Sequence, residues 1–356
     1  MTRRPSLALV LDPRFGGGTS SAVAREILAL APDFDLRVAF IESGMFRGGR
    51  AVHPRIVDAL EETGIGAAWD PPVIQAETIV LHNPSFLKFD TSLKSRLNCA
   101  RAVVVAHENF LKPDGTEGFD VGKTLAIIAA RLPPCPRTIA PVSRYNRRTV
   151  AAWLSGPGAG TEGWDIAPVE WFNICDFALL PPTASPRDRR GRVSRAGFEK
   201  FPDMATMLRH FPPHADHCAI LGADTFLLPG VKPPPHWALV PFGGAEVATF
   251  LTAIDFFVYF THPNLRESFG RVVAEAIASG KIVITDPGTA ETFGNAVIPS
   301  DGHDLDQIIA GFIAAPDRYR AFVTAAQQGL AAFSADAFRT MVCRYLQVET
   351  RVGELT

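Results

Sequence analysis

Short apolar runs recur along the chain, separated by polar, glycine-bearing or proline-bearing stretches. The first, Leu7-Ala-Leu-Val-Leu11, has no polar position, as expected of a strand buried on both faces of a parallel sheet. Gly16-Gly17-Gly18 follows, and Thr19-Ser20-Ser21 predicts the cap of a helix through Ala22–Leu30. Leu36–Ile41 reads as a second strand. Later runs end at His82 (Thr78-Ile-Val-Leu-His) and at His107 (Val103-Val-Val-Ala-His), and Thr138–Val142 leads into a helix capped by Ser143. Strand-like and helix-like periods alternate, which predicts an α/β domain with a doubly wound sheet.

Residues 181–190 (Pro-Pro-Thr-Ala-Ser-Pro-Arg-Asp-Arg-Arg) are proline-rich and charged and read as a linker. Beyond them the alternation resumes with Gly191–Ser194, His217–Leu221, Trp237–Val240, Phe256–Phe260, Lys281–Thr285 and Ala296–Ile298. The expected division is therefore residues 1–180, a second α/β domain at 181–335, and a last helical segment at 336–356. Two such domains suit a two-substrate reaction, because ligands of open α/β sheets bind beyond the carboxyl ends of the strands. Fold alone names no reaction.

Composition narrows the classes. Lys and Arg number 35 against 37 Asp and Glu, so no basic excess points to nucleic acid. The cysteines, Cys99, Cys135, Cys175, Cys218 and Cys343, are odd in number and widely spaced. That suggests reduced thiols and a cytoplasmic location. Leu7–Leu11 stops at Asp12-Pro13, too short for a signal segment, and no apolar run is long enough to span a bilayer. Peripheral contact at the inner membrane face stays compatible with this composition.

Candidate chemistry concentrates at 254–299. A strand at Phe256–Phe260 leads to Glu267-Ser268-Phe269-Gly270, then to a helix starting near Arg271 with an apolar stripe of Val272, Val273, Ala276 and Ile277. Backbone N–H groups around Phe269–Val272 would sit at that helix N-terminus, a ready anion site, and Gly270 permits close approach of a phosphate. Glu275 lies among Ala274, Ala276, Ile277 and Ala278, where a carboxylate needs a partner; ribose hydroxyls would serve. Glu267 is placed to accept hydrogen bonds from a sugar.

The Glu267…Glu275 pair has the E-x7-E spacing of the retaining GT-B glycosyltransferases, and the block Glu-Ser-Phe-Gly…Ala-Glu-Ala…Ser-Gly-Lys resembles that of their GT4-like (glycosyltransferase group 1) family. The resemblance implies that Glu267 contacts the transferred sugar and Glu275 holds the ribose, with Ser268, Phe269, Gly270 and Arg271 around the donor. Gly191-Arg-Val-Ser-Arg195…Lys200-Phe-Pro resembles the family segment in which an arginine and a lysine clamp the donor diphosphate. Lys200 is the lysine; Arg192 and Arg195 both remain candidates for the arginine. Gly16 and Gly17 correspond to the family's glycine loop, and His107 resembles a histidine that contacts the donor sugar. Ser143-Arg144 resembles the start of the family helix that follows an active-site strand, which implies at most an acceptor contact for Arg144.

Other clusters carry less. The glycine loop is not GxGxxG, so a nicotinamide fingerprint is missing although Glu42 ends the second strand. His210, His214, His217 and Cys218 invite a metal reading, but Pro212-Pro213 breaks any helix that would align them. Arg47, Arg50 and Arg55 read as a solvated face before they read as a site for a phosphorylated acceptor. Asp286-Pro-Gly-Thr-Ala-Glu291 stands where the family often carries a Gly-Gly…Glu loop, which leaves the contacts there open.

The resemblance thus implies a GT-B fold, two facing Rossmann-like domains with a cleft, and a last helix around 335–347 crossing back to the first domain. It implies retaining, metal-independent transfer from a nucleoside diphosphate sugar, UDP- or GDP-linked, to a glycan, lipid-linked or small-molecule acceptor. Neither cofactor nor metal is required. The alternatives are a GT-B nucleotide-sugar epimerase or phosphorylase, or a non-catalytic protein that binds a nucleotide sugar or acts as a scaffold.

Overall fold

A computed structural model describes residues 3–156 and 163–348. The chain forms two compact units, one of Met1–Ile174 with Phe333–Thr356 and the other of Cys175–Ala332. Residues 349–356 of the segment expected at 336–356 lie outside the described residues.

The first unit contains β1 (Ser6–Leu11), α1 (Gly18–Leu30), β2 (Asp35–Phe40), α2 (Pro54–Thr63), β3 (Ala67–Trp69), β4 (Val73–Gln75), β5 (Thr78–His82), β6 (Arg96–Asn98), β7 (Arg101–Ala106), α3 (Val121–Ala129), β8 (Arg137–Pro141), α4 (Arg144–Leu154) and β9 (Trp164–Ile166). Seven strands make one parallel sheet in the order β3-β2-β1-β5-β7-β8-β9, with Leu9 opposite Val38 on one side and Val80 on the other. Strands β4 and β6 pair separately. Every residue of β1 is buried, as its unbroken apolar run requires when helices cover both faces.

One expectation for this unit needs correcting. Helix α1 starts at Gly18, with Gly17 as its N-cap and no side-chain cap bond. Thr19, Ser20 and Ser21 therefore lie inside the first turn, and Ser20 is wholly buried rather than turned back to cap. Ser143 does cap α4, accepting from Asn146 N at 3.1 Å.

The second unit follows with β10 (Arg189–Val193), α5 (Met204–His210), β11 (His217–Leu221), β12 (Trp237–Val240), α6 (Val247–Thr252), β13 (Phe256–Tyr259), α7 (Arg271–Ala278), β14 (Ile282–Thr285), α8 (Pro287–Phe293), β15 (Ile298–Pro299), α9 (Leu305–Ile313) and α10 (Pro316–Gly329). Its six strands are again parallel, in the order β12-β11-β10-β13-β14-β15. In each sheet the chain winds one way from its first strand and then returns to wind the other way. This reversal leaves a crevice at the carboxyl ends of β1 and β5 in the first unit and of β10 and β13 in the second.

The linker expected at 181–190 also needs correcting, since β10 begins inside it at Arg189. Arg190 is completely buried, and its guanidinium pairs with Asp188 at 2.7 Å and Asp306 at 2.6 Å and donates to the His210 carbonyl. A strand that buries a charge with dedicated partners shows no apolar run, so the hydrophobic pattern passed over it. The Asp286-Pro-Gly segment, which stands where the resemblance has a loop, starts α8: Asp286 accepts from Thr289 N at 3.1 Å as an N-cap.

The last helix, α11 (Ala335–Leu346), belongs to the first unit. Phe338 packs edge-on against Trp171 with ring centroids 5.5 Å apart, Arg339 pairs with Asp33, and Tyr345 Oη lies 2.7 Å from Thr138 Oγ1. Ser334 caps it by accepting from Ala337 N. Ser334→Ala should cost about 1 kcal/mol of stability, read as a lower urea midpoint at unchanged slope. Among the described residues no helix is long and apolar enough to cross a membrane.

Candidate functional site

In the second unit the reversal falls between β10 and β13, and the two loops that leave it carry the predicted residues. The loop after β10 ends in a short 3-10 turn, Phe198–Lys200. The loop after β13 runs from Phe260 through Glu267 to Gly270. His262 N donates to the Glu199 carbonyl at 3.2 Å, so the two loops are tied to each other. Arg266 pairs with Asp286 at 2.9 Å and Thr261 Oγ1 donates to the Leu265 carbonyl at 2.7 Å, which fixes the second loop from both ends.

Lys200 Nζ and Glu267 Oε1 lie 2.6 Å apart, and the same oxygen accepts from Tyr259 Oη at 2.6 Å. Lys200 and Glu267 keep only 13% and 16% of their side-chain surface exposed, enough to meet a ligand but too little for free hydration. Burial alone would push the Glu267 carboxyl up; Lys200 and the Tyr259 hydroxyl outweigh it and hold it below its usual value. The same burial, with the Glu267 charge, drives Tyr259 well above the usual phenol range. Glu267 is thus a carboxylate at neutral pH, with Lys200 its counter-charge and Tyr259 a fixed donor.

The structure separates the two candidate arginines. Arg192 is completely buried. Its guanidinium donates to the Phe260 carbonyl at 2.9 Å and to the Lys200 carbonyl, and it lies over the rings of Phe201 and Tyr259 at 4.2 and 5.2 Å. Its donors hold the backbone of both site loops. Arg195 is more than half exposed, pairs with Glu199 at 2.8 Å, and lies close enough to help lower Glu267.

Gly270 caps α7 in the left-handed region at φ +88°, where a side chain would be strained. Phe269 is buried edge-on against Phe293 with ring centroids 5.6 Å apart. The first N–H groups of α7 therefore lead away from a rigid turn, as an anion site needs. Ser268 precedes that turn. Arg271, at the first helical position, lies over the Phe177 ring at 4.9 Å. Glu275 is half-buried one turn on, between Ala274 and Ala276, which are fully buried. A depression of about 690 Å³ lined by Pro287, Pro299, Ser300 and His303 runs beside the edge strand β15, separated by β13 and β14 from β10, which leads to Lys200.

In the first unit Gly16 is exposed and Gly17 half-buried in the loop after β1, and a Cβ at either would meet nothing within 4 Å. His107 follows β7 and is half-buried. Its Nε2 lies 3.1 Å from Nδ1 of His82, which ends β5, and His82 Nε2 lies 3.4 Å from Oε2 of Glu26 on α1. Glu26 and His82 are functional candidates that the sequence reading passed over. The available signal was an acid on the apolar stripe of α1, between Val23 and Ile27, matched with a histidine closing a strand. Among the described residues these three form the one His/Cys/Asp/Glu group with ligand-type atoms within 4.8 Å of one another. His210, buried, and Cys218, whose thiol donates to the Pro212 carbonyl, fall outside any such group.

No protein-family model matches the chain, and no curated protein matches its sequence. Solved structures do. A sucrose-phosphate synthase from Thermosynechococcus elongatus superposes with a TM-score of 0.62 at 15% identity, over 96% of this chain and 98% of that one. HepE from Anabaena, solved with UDP, gives 0.63 at 15% identity over 96% and 99%. A glycosyltransferase from Rickettsia africae gives 0.60 at 14% identity over 96% and 98%. The fold is that of the GT-B glycosyltransferases, an α/β architecture built on two parallel sheets.

Proposed function

We propose that the chain is a retaining, metal-independent glycosyltransferase of the GT4-like kind, moving a sugar from a nucleoside diphosphate sugar to a glycan, lipid-linked or small-molecule acceptor. The observation that carries this reading is the Lys200–Glu267 pair set beside the N-terminus of α7 at the point where the second sheet reverses. A diphosphate leaving group needs its developing charge neutralised, and an ammonium, an arginine and helix-terminal amides supply that without a metal. Arg195 is the arginine of this clamp, since Arg192 is spent on the loop backbones. Glu267 receives sugar hydroxyls as a carboxylate held in one orientation by two donors. Glu275 takes the ribose, Ser268, Phe269, Gly270 and Arg271 surround the donor, and His107 contacts the sugar, as the sequence resemblance implies.

The fold relatives support the donor class. HepE has been solved with UDP-glucose and a pneumococcal O-GlcNAc transferase with UDP and GlcNAc. A uridine donor is the first to test, with a guanosine donor second. Retention follows from an internal-return path in which the departing phosphate guides the acceptor, so that no enzyme nucleophile is required. The reading places the protein in the cytoplasm, with lipid-linked acceptors reached at the membrane face.

Calorimetric titration of UDP, GDP, ADP and TDP into wild type, Lys200→Ala and Glu275→Ala tests this directly. One diphosphate should bind wild type selectively, and either substitution should weaken it at least tenfold, about 1.4 kcal/mol. Absence of binding at millimolar nucleotide would overturn the reading in favour of a scaffold. Products showing inverted configuration, or turnover abolished by EDTA, would overturn the retaining, metal-independent part alone.

A further inference from the structure

Glu26 of α1, His82 at the end of β5 and His107 just past β7 meet at the carboxyl ends of β5 and β7, beside the reversal of the first sheet. Trp171 Nε1 donates to Glu26 Oε2 at 2.9 Å. His82 turns Nε2 toward that carboxyl at 3.4 Å and Nδ1 toward His107 at 3.1 Å. The close contacts use different ring nitrogens of His82, so the groups form a line rather than converge on a point. Glu26, His82 and Trp171 are completely buried, while His107 at the end of the line is half-buried. Neither His82 Nε2 nor Glu26 Oε1 has another hydrogen-bond partner. An unsatisfied buried carboxyl is costly, and a closure of a few tenths of an ångström between Glu26 and His82 would complete the line. Asn83, immediately after His82, is held in the left-handed region at φ +56° and buried. Such strain is characteristic of a position that has to be held.

We propose that Glu26 and His82 are positioning residues that set which ring nitrogen of His107 carries hydrogen, and hence whether His107 offers a donor or an acceptor to the ligand hydroxyl. The inference rests on the transfer reading for the identity of that hydroxyl, though not for the chain itself.

Two arrangements satisfy the line. With Glu26 protonated, its O–H donates to His82 Nε2, His82 Nδ1–H donates to His107 Nε2, and His107 presents Nδ1–H as a donor. With Glu26 ionised, each bond reverses: His82 Nε2–H donates to the carboxylate, His107 Nε2–H donates to His82 Nδ1, and His107 presents a bare Nδ1 as an acceptor. The two differ by one proton. It leaves from Nδ1 of His107 as the other two protons each step one group outward, and the negative charge stays on Glu26.

The environment keeps both imidazoles neutral. Burial pushes His107 down to about 3, and burial with the neighbouring His107 holds His82 well below its usual value. Burial pushes Glu26 up to about 8, opposed by the Trp171 indole. Several other charged groups on the packed elements are already engaged. Arg55 of α2 donates to Ser21 Oγ, Asp12 pairs with Arg14 after β1, and from α11 Arg339 pairs with Asp33 beside Cys343.

Full-length protein labelled with ¹⁵N-histidine, followed by long-range ¹H–¹⁵N correlation between pH 6 and 10, tests the proposal. In wild type His107 should hold hydrogen on Nδ1 at pH 6 and on Nε2 at pH 10, through a single transition shared with His82. Glu26→Gln should abolish the transition. Trp171→Phe removes a donor to the carboxylate and should move the midpoint upward by about one pH unit, giving a second reading if Glu26→Gln folds poorly. A His107 tautomer that stays fixed across this range in wild type, or a transition that persists in Glu26→Gln, overturns the proposal. The pH profile of kcat then separates the two readings. A tautomer switch without any nucleotide-sugar turnover leaves the relay standing and the transfer reading refuted; turnover with a fixed tautomer does the reverse.

Discussion

Lys200→Ala is expected to lower kcat/KM for sugar transfer by about 10² to 10³, equivalent to about 2.7–4 kcal/mol of lost transition-state stabilisation. The ammonium has three N–H donors and its contact with Glu267 at 2.6 Å leaves others for a diphosphate. In a site where Lys200 is only 13% exposed, a charge facing a leaving phosphate is weakly screened and acts strongly. Most of the loss should appear in kcat, because charge on the departing oxygen develops only as the glycosidic bond breaks. Lys200→Arg should not restore the rate, since a planar guanidinium cannot take the ammonium's place against Glu267. Steady-state kinetics with the donor selected by calorimetry checks each statement, and a loss confined to KM would refute the assigned role.

The same substitution has a stability signature whose sign follows from Glu267. Its folded-state value lies below the unfolded one, so the paired carboxylate adds stability above the unfolded carboxylate range. That contribution is lost as pH falls through the lower, folded value. Removing Lys200 leaves burial to push the carboxyl up, opposed only by the Tyr259 hydroxyl and the more distant Arg195 charge. Lys200→Ala should therefore lose stability relative to wild type mainly above the ordinary glutamate range, and the two should converge toward acid pH. Denaturant midpoints at pH 4 and pH 7.5 would show it.

Much of this second unit was legible in the sequence because its chemistry coincides with backbone geometry. Gly270 at a strand–loop–helix junction marks a close approach of the backbone, which the structure realises as a turn with positive φ, and Glu267 and Glu275 are spaced so that the loop and the second turn of one helix carry them. The strands β1, β7, β13 and β14 announce themselves because helices cover both their faces. What stayed hidden has a common cause, which is polar groups buried with partners distant in sequence. Arg189 and Arg190 open the strand β10 with their charges satisfied by Asp255 and by Asp188 and Asp306, and these two residues read as linker. Tyr259 was counted as one more apolar strand residue although its hydroxyl reaches Glu267. Glu26 and His82 lie 56 residues apart and meet only when α1 is laid over β5. Pairing of this kind has no period, so pattern reading cannot supply it.

The choice between Arg192 and Arg195 shows what the structure adds, and it yields the second large effect. Arg192→Ala should destabilise the second unit by about 3–5 kcal/mol, the range for truncating a large buried side chain and orphaning its partners. The truncation opens a cavity between Phe201 and Tyr259 and removes the donors to the Phe260 and Lys200 carbonyls. Burial lowers the guanidinium only to about 10, so it stays charged at neutral pH and its loss removes a buried cation facing two aromatic rings. Arg192→Met keeps much of the volume but none of the hydrogen bonds, and should fall between wild type and alanine. Arg195→Ala, at an exposed position, should change stability by no more than about 0.5 kcal/mol while weakening diphosphate binding severalfold. Denaturation and calorimetry on the three variants separate the roles. A stable Arg192→Ala that merely binds nucleotide poorly would return Arg192 to the diphosphate and take Arg195 out of it.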